Sequence, residues 1–266
     1  MKIVVFDLDG TLGYFTEFGI FWDSLIAYVK NNNNIIITQD TFNATLDLFP
    51  EVVRPNIINI LGYLRNKKET KCCTKMMIYT NNNGPKEWVQ KIIKYFENKL
   101  DCELFDQLIY AFKINGKQIE LGRTTHSKNH DDLVRCSKIP ANTEICFMDD
   151  IYFPEMDKSN VYYINIQPYY HDLGFEEMID RFKKSKHGIK IINGDIDFEQ
   201  KIMSYMNKYH YKYIDKDPEE YDIDKIIGKH VLMHLNIFFN NHQKNKTQKN
   251  KKHRHVKNHK TKRNRN

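Results

Sequence analysis

Two acidic residues stand two apart in Asp7-Leu8-Asp9-Gly10-Thr11-Leu12, directly after the apolar run Ile3-Val4-Val5-Phe6. Carboxylates at this spacing share a side only while the chain stays extended. At the end of a buried strand unpaired charge is costly, and a bound cation would offset it. Oxygen ligands of this kind suit Mg2+ better than Zn2+. A polar turn whose side chains cap their own backbone fits the same residues. A second acidic pair, Asp149-Asp150, closes the stretch Ile145-Cys146-Phe147-Met148 and poses the same electrostatic problem. One divalent ion shared with Asp7 would resolve both. Between the pairs, Thr80-Asn81-Asn82-Asn83-Gly84 ends another apolar stretch and leads into Pro85. A hydroxyl and backbone N–H groups at a helix entrance could hold an oxyanion, and an ordinary turn would use the same residues.

Such groups meet only if strands carry them to a common edge. Lys2–Phe6, Met76–Tyr79, Gln107–Phe112, Glu144–Met148 and Val161–Ile166 read as short buried strands. Helices are expected over Pro55–Arg65, where Ile57, Ile60, Leu61 and Leu64 share a face, and over Pro85–Leu100, where Trp88, Ile92, Phe96 and Leu100 form one row. A short helix is expected over Asn129–Cys136, and weaker ones over 17–30 and 40–49. Asn115-Gly116, between Lys113-Ile114 and Lys117-Gln118-Ile119, is a strong hairpin signal. Strands alternating with helices predict an α/β fold, a Rossmann-like parallel sheet with helices on both faces. In such folds ligands bind beyond the carboxyl ends of the strands. Residues 190–240 read as mainly helical, over Phe198–Tyr209 and Asp224–Phe239, and carry no motif.

Taken in order, Asp-x-Asp-Gly-Thr-Leu, a strand ending in Thr80-Asn81, a lysine, and a strand ending in Asp149-Asp150 resemble the motif set of the haloacid-dehalogenase (HAD) superfamily of phosphatases over residues 1–185. Val53-Arg54-Pro55, the hairpin and the spacing around Lys128 are similar to the branch of RNA-polymerase-tail and small C-terminal-domain phosphatases. That branch usually carries Glu where Gly10 stands, and its fourth motif does not continue as Ile151-Tyr152-Phe153-Pro154. The resemblance implies a Mg2+-dependent phosphomonoester hydrolase working through an aspartyl-phosphate. Asp7 would be the nucleophile, and Asp9 the acid and base with its backbone carbonyl facing the metal. Thr80 and the Asn81 N–H would bind the transferring phosphoryl group and Lys128 would neutralise it. Asp149 and Asp150 would complete a metal site with Asp7 and Asp9. Lys113, Lys117, Lys138 and Arg123 compete with Lys128 for its role. The two acidic pairs must then converge on one pocket, with a vacancy rather than a salt bridge between them. His126 and His130, four apart, have a spacing that could bind a metal on a helix, but no third ligand is obvious.

The resemblance also implies a core over 1–185 with a small helical cap inserted at about 13–53. Phe15, Phe18, Phe21, Trp22, Phe42 and Phe49 crowd that insert. They suit a helical core packed on the sheet, with a share lining a substrate entrance. An open site favours phosphoprotein or polynucleotide-end substrates over small metabolites, and a phosphoprotein or another phosphomonoester is the expected substrate. A nucleotide or polynucleotide end is the alternative, as is a HAD-like binding protein without catalysis.

The chain has 266 residues, 41% hydrophobic and 28% charged, which excludes a collagen, a disulfide miniprotein and a wholly disordered chain. Its net charge of +7 is unevenly placed. Residues 241–266 hold eight Lys, three Arg and no acid, a local +11, so residues 1–240 carry −4. That tail cannot bury a core and is expected to be disordered. It would be a plain solvated extension or an arm for nucleic acid or another polyanion, binding phosphate backbones in a salt-sensitive way. No apolar stretch approaches the ~20 residues of a membrane helix, so no membrane partner is expected. The absence of a secretory pattern at the N-terminus and the odd count of five cysteines predict an intracellular protein, cytoplasmic or nuclear.

Overall fold

The computed structural model describes residues 1–32 and 35–262, with side chains to residue 240 apart from Asn32. In chain order the elements are β1 (Lys2–Phe6), α1 (Thr16–Asn32), α2 (Gln39–Leu46), α3 (Ile57–Glu69), β2 (Lys75–Tyr79) and α4 (Lys86–Leu100). There follow β3 (Gln107–Ile109), β4 (Lys113–Ile114), β5 (Lys117–Gln118), α5 (His130–Ser137), β6 (Glu144–Asp149) and β7 (Val161–Asn165). The chain ends in α6 (Phe175–Lys184), α7 (Lys186–Ile192), α8 (Phe198–Met206) and α9 (Pro218–Lys262). The tail expected to be disordered, 241–266, lies outside the fully described residues.

Five strands form one parallel sheet in the order β3-β2-β1-β6-β7, and β4-β5 is a separate antiparallel pair. The α/β class and parallel sheet expected from the alternation are present. Side chains alternate between faces. Val4, Phe6, Met76, Ile78, Cys146 and Met148 join a large core with α1, α3, α4 and α9, whereas Ile3, Val5, Met77, Tyr79, Ile145 and Phe147 pack with Leu133 of α5. Burial of both faces explains why these strands read as unbroken apolar runs. The chain enters β2 on one side of β1 and β6 on the other, so β1 and β6 border the point where the strand order reverses. Phe6 pairs with Met148 and with Ile78, so the loops after β1, β2 and β6 leave the sheet side by side.

At the hairpin Asn115 (φ 49°) and Gly116 (φ 77°) both take left-handed backbone, as a two-residue turn of this kind requires. The helix expected from Pro55 begins at Ile57, because Asn56 is itself left-handed (φ 67°) and donates to the Gly228 carbonyl at 3.3 Å. α6 and α7 were not expected as separate helices. The third strand is shorter than expected, ending at Ile109 rather than at Phe112. All six aromatics of the insert are buried, and they belong to the sheet's larger core. Phe21 packs on Phe182 (5.4 Å between ring centres) and Tyr28 on Phe198 (4.9 Å), which ties the insert to the C-terminal helices. All five cysteines are free thiols. Among the described residues no helix is long and apolar enough to cross a membrane.

The insert and the C-terminal segment also share a buried polar cluster. Glu17 accepts from the Tyr211 hydroxyl at 2.5 Å, and Tyr211 lies 3.1 Å from the Tyr14 hydroxyl. The Leu173 N–H donates to His171 Nδ1, so Nε2 carries the proton and donates to the Tyr14 carbonyl at 3.1 Å. Glu17 Oε2 has no hydrogen-bond partner among the described residues and lies 3.8 Å from His171 Nε2. Burial pushes the Glu17 carboxyl up to about 7 against the Tyr211 hydrogen bond, and burial holds the His171 imidazole down at about 4. His171 favours folding above its ordinary 6.5 and loses that contribution as pH falls toward 4. Glu17 favours folding below its ordinary 4.5 and loses that contribution as pH rises through 7. Glu17→Gln removes the second slope alone. Between pH 4.5 and 7 the variant should therefore gain stability relative to the native chain as pH rises. The gain should be about 1 kcal/mol per pH unit in urea unfolding, and parallel stability–pH curves would contradict this.

Candidate functional site

Asp7 is the first residue beyond β1, and its N–H still pairs with the Met148 carbonyl at 2.9 Å. The loop then turns at Gly10, with φ 72° and so little space that a Cβ would lie 2.5 Å from the Asp150 carboxylate. A larger residue there would be strained and would collide with Asp150, which gives a local reason for glycine at this position. Arg54, 2% exposed, pins the same loop by donating to the carbonyls of Gly10 (2.5 Å), Thr11 (2.7 Å) and Gln167 (2.7 Å). Asp149 ends β6, and Asp150 accepts from the Thr11 hydroxyl at 3.2 Å.

Lys128 precedes Asn129, whose side chain caps α5 by accepting from the Asp132 N–H at 2.7 Å. This fixed entrance drops the Lys128 side chain, 2% exposed, between Asp7 (2.5 Å) and Asp149 (2.6 Å). The rings of Phe153 and Tyr79 flank the ammonium at 5.4 and 5.9 Å. Oxygens of Asp7, Asp149 and Asp150 lie within 4.8 Å of one another, the one such group of potential metal ligands among the described residues. A salt bridge thus stands where a vacancy was expected, and Lys128 itself makes it. Formally it leaves two negative charges uncompensated. Burial raises the Asp149 carboxyl although Lys128 opposes the shift, and burial together with Asp7 raises Asp150. Such an all-carboxylate set, short of positive charge, fits a hard divalent cation.

The Asp9 carboxylate stands apart from that group. It accepts from the Asn82 side chain at 2.8 Å, and burial, with the Asp7 charge adding to it, pushes its carboxyl up to about 6. Asp9, expected among the metal ligands, is not one of the three clustered carboxylates, and its side chain is held by Asn82 instead. Thr80 is buried, and its hydroxyl accepts from the Asn82 N–H at 2.9 Å. Thr80, Asn81, Lys128, Asp7, Asp9 and Asp150 open onto one cleft of about 520 Å³, with Tyr14, Tyr169 and Tyr170 among its walls.

Of the competing cations, Lys113 and Lys117 lie on the exposed hairpin and Lys138 ends α5. Arg123 is 1% exposed and holds the second loop. It donates to the carbonyls of Thr80 (3.1 Å), Tyr110 (2.9 Å) and His126 (2.9 Å) and to the Asn81 side chain (2.8 Å). Sequence reasoning considered it only as a rival to Lys128 and missed its positioning role. Its burial depends on partners remote in the chain. His126 packs on Phe112 and His130 pairs with Asn160, so they form no metal pair. Asp132, in the first turn of α5, accepts from the Thr124 N–H and hydroxyl.

No family model, no curated protein and no solved structure matches the chain. Lys128→Met would leave three carboxylates together without their ammonium. In the absence of divalent cations the variant should lose about 3–5 kcal/mol of unfolding free energy and recover part of it in Mg2+. A loss below about 1 kcal/mol, of the size an exposed pair gives, with no response to Mg2+ would contradict this electrostatic account.

Proposed function

We propose that the chain is a Mg2+-dependent phosphomonoester hydrolase of the HAD-like type, working through an aspartyl-phosphate on Asp7. The observation that carries it is the convergence of Asp7, Asp149 and Asp150, at the ends of adjacent parallel strands, with Lys128 from the entrance of α5. Motif order, the fold class and the topological switch beside β1 support it further.

Asp7 attacks phosphorus as the ester P–O bond breaks, and Asp9 gives its proton to the departing oxygen. A carboxyl held near 6 by burial suits that exchange near neutral pH. Asp9 then takes a proton from water as the water oxygen attacks phosphorus, which releases inorganic phosphate and restores Asp7. Thr80 and the Asn81 N–H orient the phosphoryl oxygens, and the Lys128 ammonium beside Asp7 balances their charge. Asp7, Asp149 and Asp150 would hold Mg2+, with the Asp9 carbonyl facing it, and the bound ion supplies further charge neutralisation. A phosphoprotein or another phosphomonoester is the substrate class.

Asp7→Asn should lower turnover of a generic aryl phosphate by at least about a thousandfold, and chelation should abolish it until Mg2+ is restored. Full activity of Asp7→Asn would sink the mechanism. The +11 charge of residues 241–266 favours a second reading, a phosphatase of polynucleotide ends held by the tail. Deleting 241–266 should then cost activity on polynucleotide ends and spare a small ester. Equal effects on both substrates would count against this role.

A further inference from the structure

We propose that a second cleft, beside Asp9 and faced by the half-buried Trp88, receives the aromatic group of a small phosphomonoester whose phosphoryl group meets Asp7. The proposal deepens the phosphatase reading above and rests on it for the placement of the phosphoryl group.

This cleft, of about 470 Å³, is within the range of pockets for small ligands. It shares Asp9, Thr16, Asn82 and Asn83 with the cleft over Asp7 and Lys128, so the two adjoin. Asp9 stands at their junction. When the Asp7–phosphorus bond forms and the ester P–O bond breaks, the departing oxygen takes its proton from Asp9. The organic group therefore leaves on the Asp9 side, where this cleft lies.

Its walls set the chemistry. Trp22, 2% exposed, lies behind the wall with Phe42 edge-on at 4.9 Å and Phe18 stacked on it at 6.3 Å, and the half-buried Trp88 is held by Phe42 edge-on at 5.8 Å and by Phe18 at 5.9 Å. Gly19 lets Trp88 approach α1, since a Cβ there would come within 3.3 Å of the indole ring. An indole held as Trp88 is offers stacking surface with little ordering cost. Asp9, Asp23 and Glu87 face one cation, Lys91, in the same lining, so the cleft's balance is acidic and disfavours a second phosphate. The occupant is a monophosphate carrying one planar ring, either on the ester oxygen itself or beyond a sugar.

The chain contains two tryptophans, and both stand at this cleft, so their fluorescence reports occupancy without catalysis. The full chain carrying Asp7→Asn is titrated, with Mg2+ present, with phenyl phosphate, adenosine monophosphate and glycerol phosphate. Both aromatic esters, or one of them, should change the emission and bind about tenfold tighter than glycerol phosphate. The tighter of the two shows whether the ring sits on the ester oxygen or beyond a sugar. Gly19→Leu, which fills the cleft, and Trp88→Leu, which keeps Trp22 as reporter, should each remove that preference. Equal binding of aromatic and aliphatic esters, or a preference untouched in both folded variants, overturns the proposal. Hydrolysis of every ester by the native chain without aromatic preference overturns the subsite alone. Aromatic binding with no hydrolysis of any ester by the native chain overturns the phosphatase reading and leaves the subsite standing.

Discussion

A buried ammonium between two buried carboxylates governs this end of the molecule. Lys128 is 2% exposed, Asp149 fully buried and Asp7 nearly so. Removing such charges from water costs several kcal/mol each, and only close, well-directed partners offset that. The geometry provides them at 2.5 and 2.6 Å. Yet one cation faces three carboxylates, and burial, with the Asp7 charge adding to it, raises Asp149 and Asp150. A cluster that is tightly ordered and still short of positive charge is well prepared for a divalent ion and an anionic substrate. The salt bridge stands where a vacancy was the expected sign of the proposed chemistry, and only the acidity left beyond Lys128 speaks for a cation there.

Two buried arginines hold the loops that carry these groups. Arg54 gathers carbonyls from the first loop and from Gln167, and Arg123 does the same for the second loop. Arg54 also faces Asp224 of α9 at 3.8 Å, and Asp224 pairs with Lys216 at 2.5 Å. The Lys216 ammonium sits among the rings of Tyr169 (4.4 Å) and Tyr221 (4.3 Å) and donates to the Tyr170 carbonyl. Tyr169 and Tyr170 wall the carboxylate cleft. Residues 186–240, which carry no legible motif, thus brace the site from behind through a chain of alternating charges.

Much of this was legible because it depends on local rules. The five strands follow from apolar runs buried on both faces, and the hairpin follows from Asn115-Gly116. Asp7, Thr80 and Asp149 stand at strand ends because polar residues there interrupt those runs. Lys128 was named through motif order and its place before an expected helix, and its ammonium lies between Asp7 and Asp149. What escaped depends on contacts distant in sequence. The burial of Arg54 and Arg123, the withdrawal of Asp9 toward Asn82, and the Glu17–His171 cluster all need partners that no local pattern announces. The same holds for Lys2, which opens β1 yet is buried and donates to carbonyls of α9. The left-handed Asn56, which delays α3, is fixed by α9 in the same way.

The claim on which the account turns is that Asp7, Asp149 and Asp150 together demand a cation beyond Lys128. Calorimetric titration of Mg2+ into the native chain and into Asp150→Asn tests it most directly. Asp150 is the carboxylate of the three that Lys128 does not contact by hydrogen bond. The account predicts one saturable Mg2+ site in the native chain and its loss, or a weakening of about tenfold or more, in Asp150→Asn. Equal Mg2+ binding by both proteins, or none by either, would contradict it.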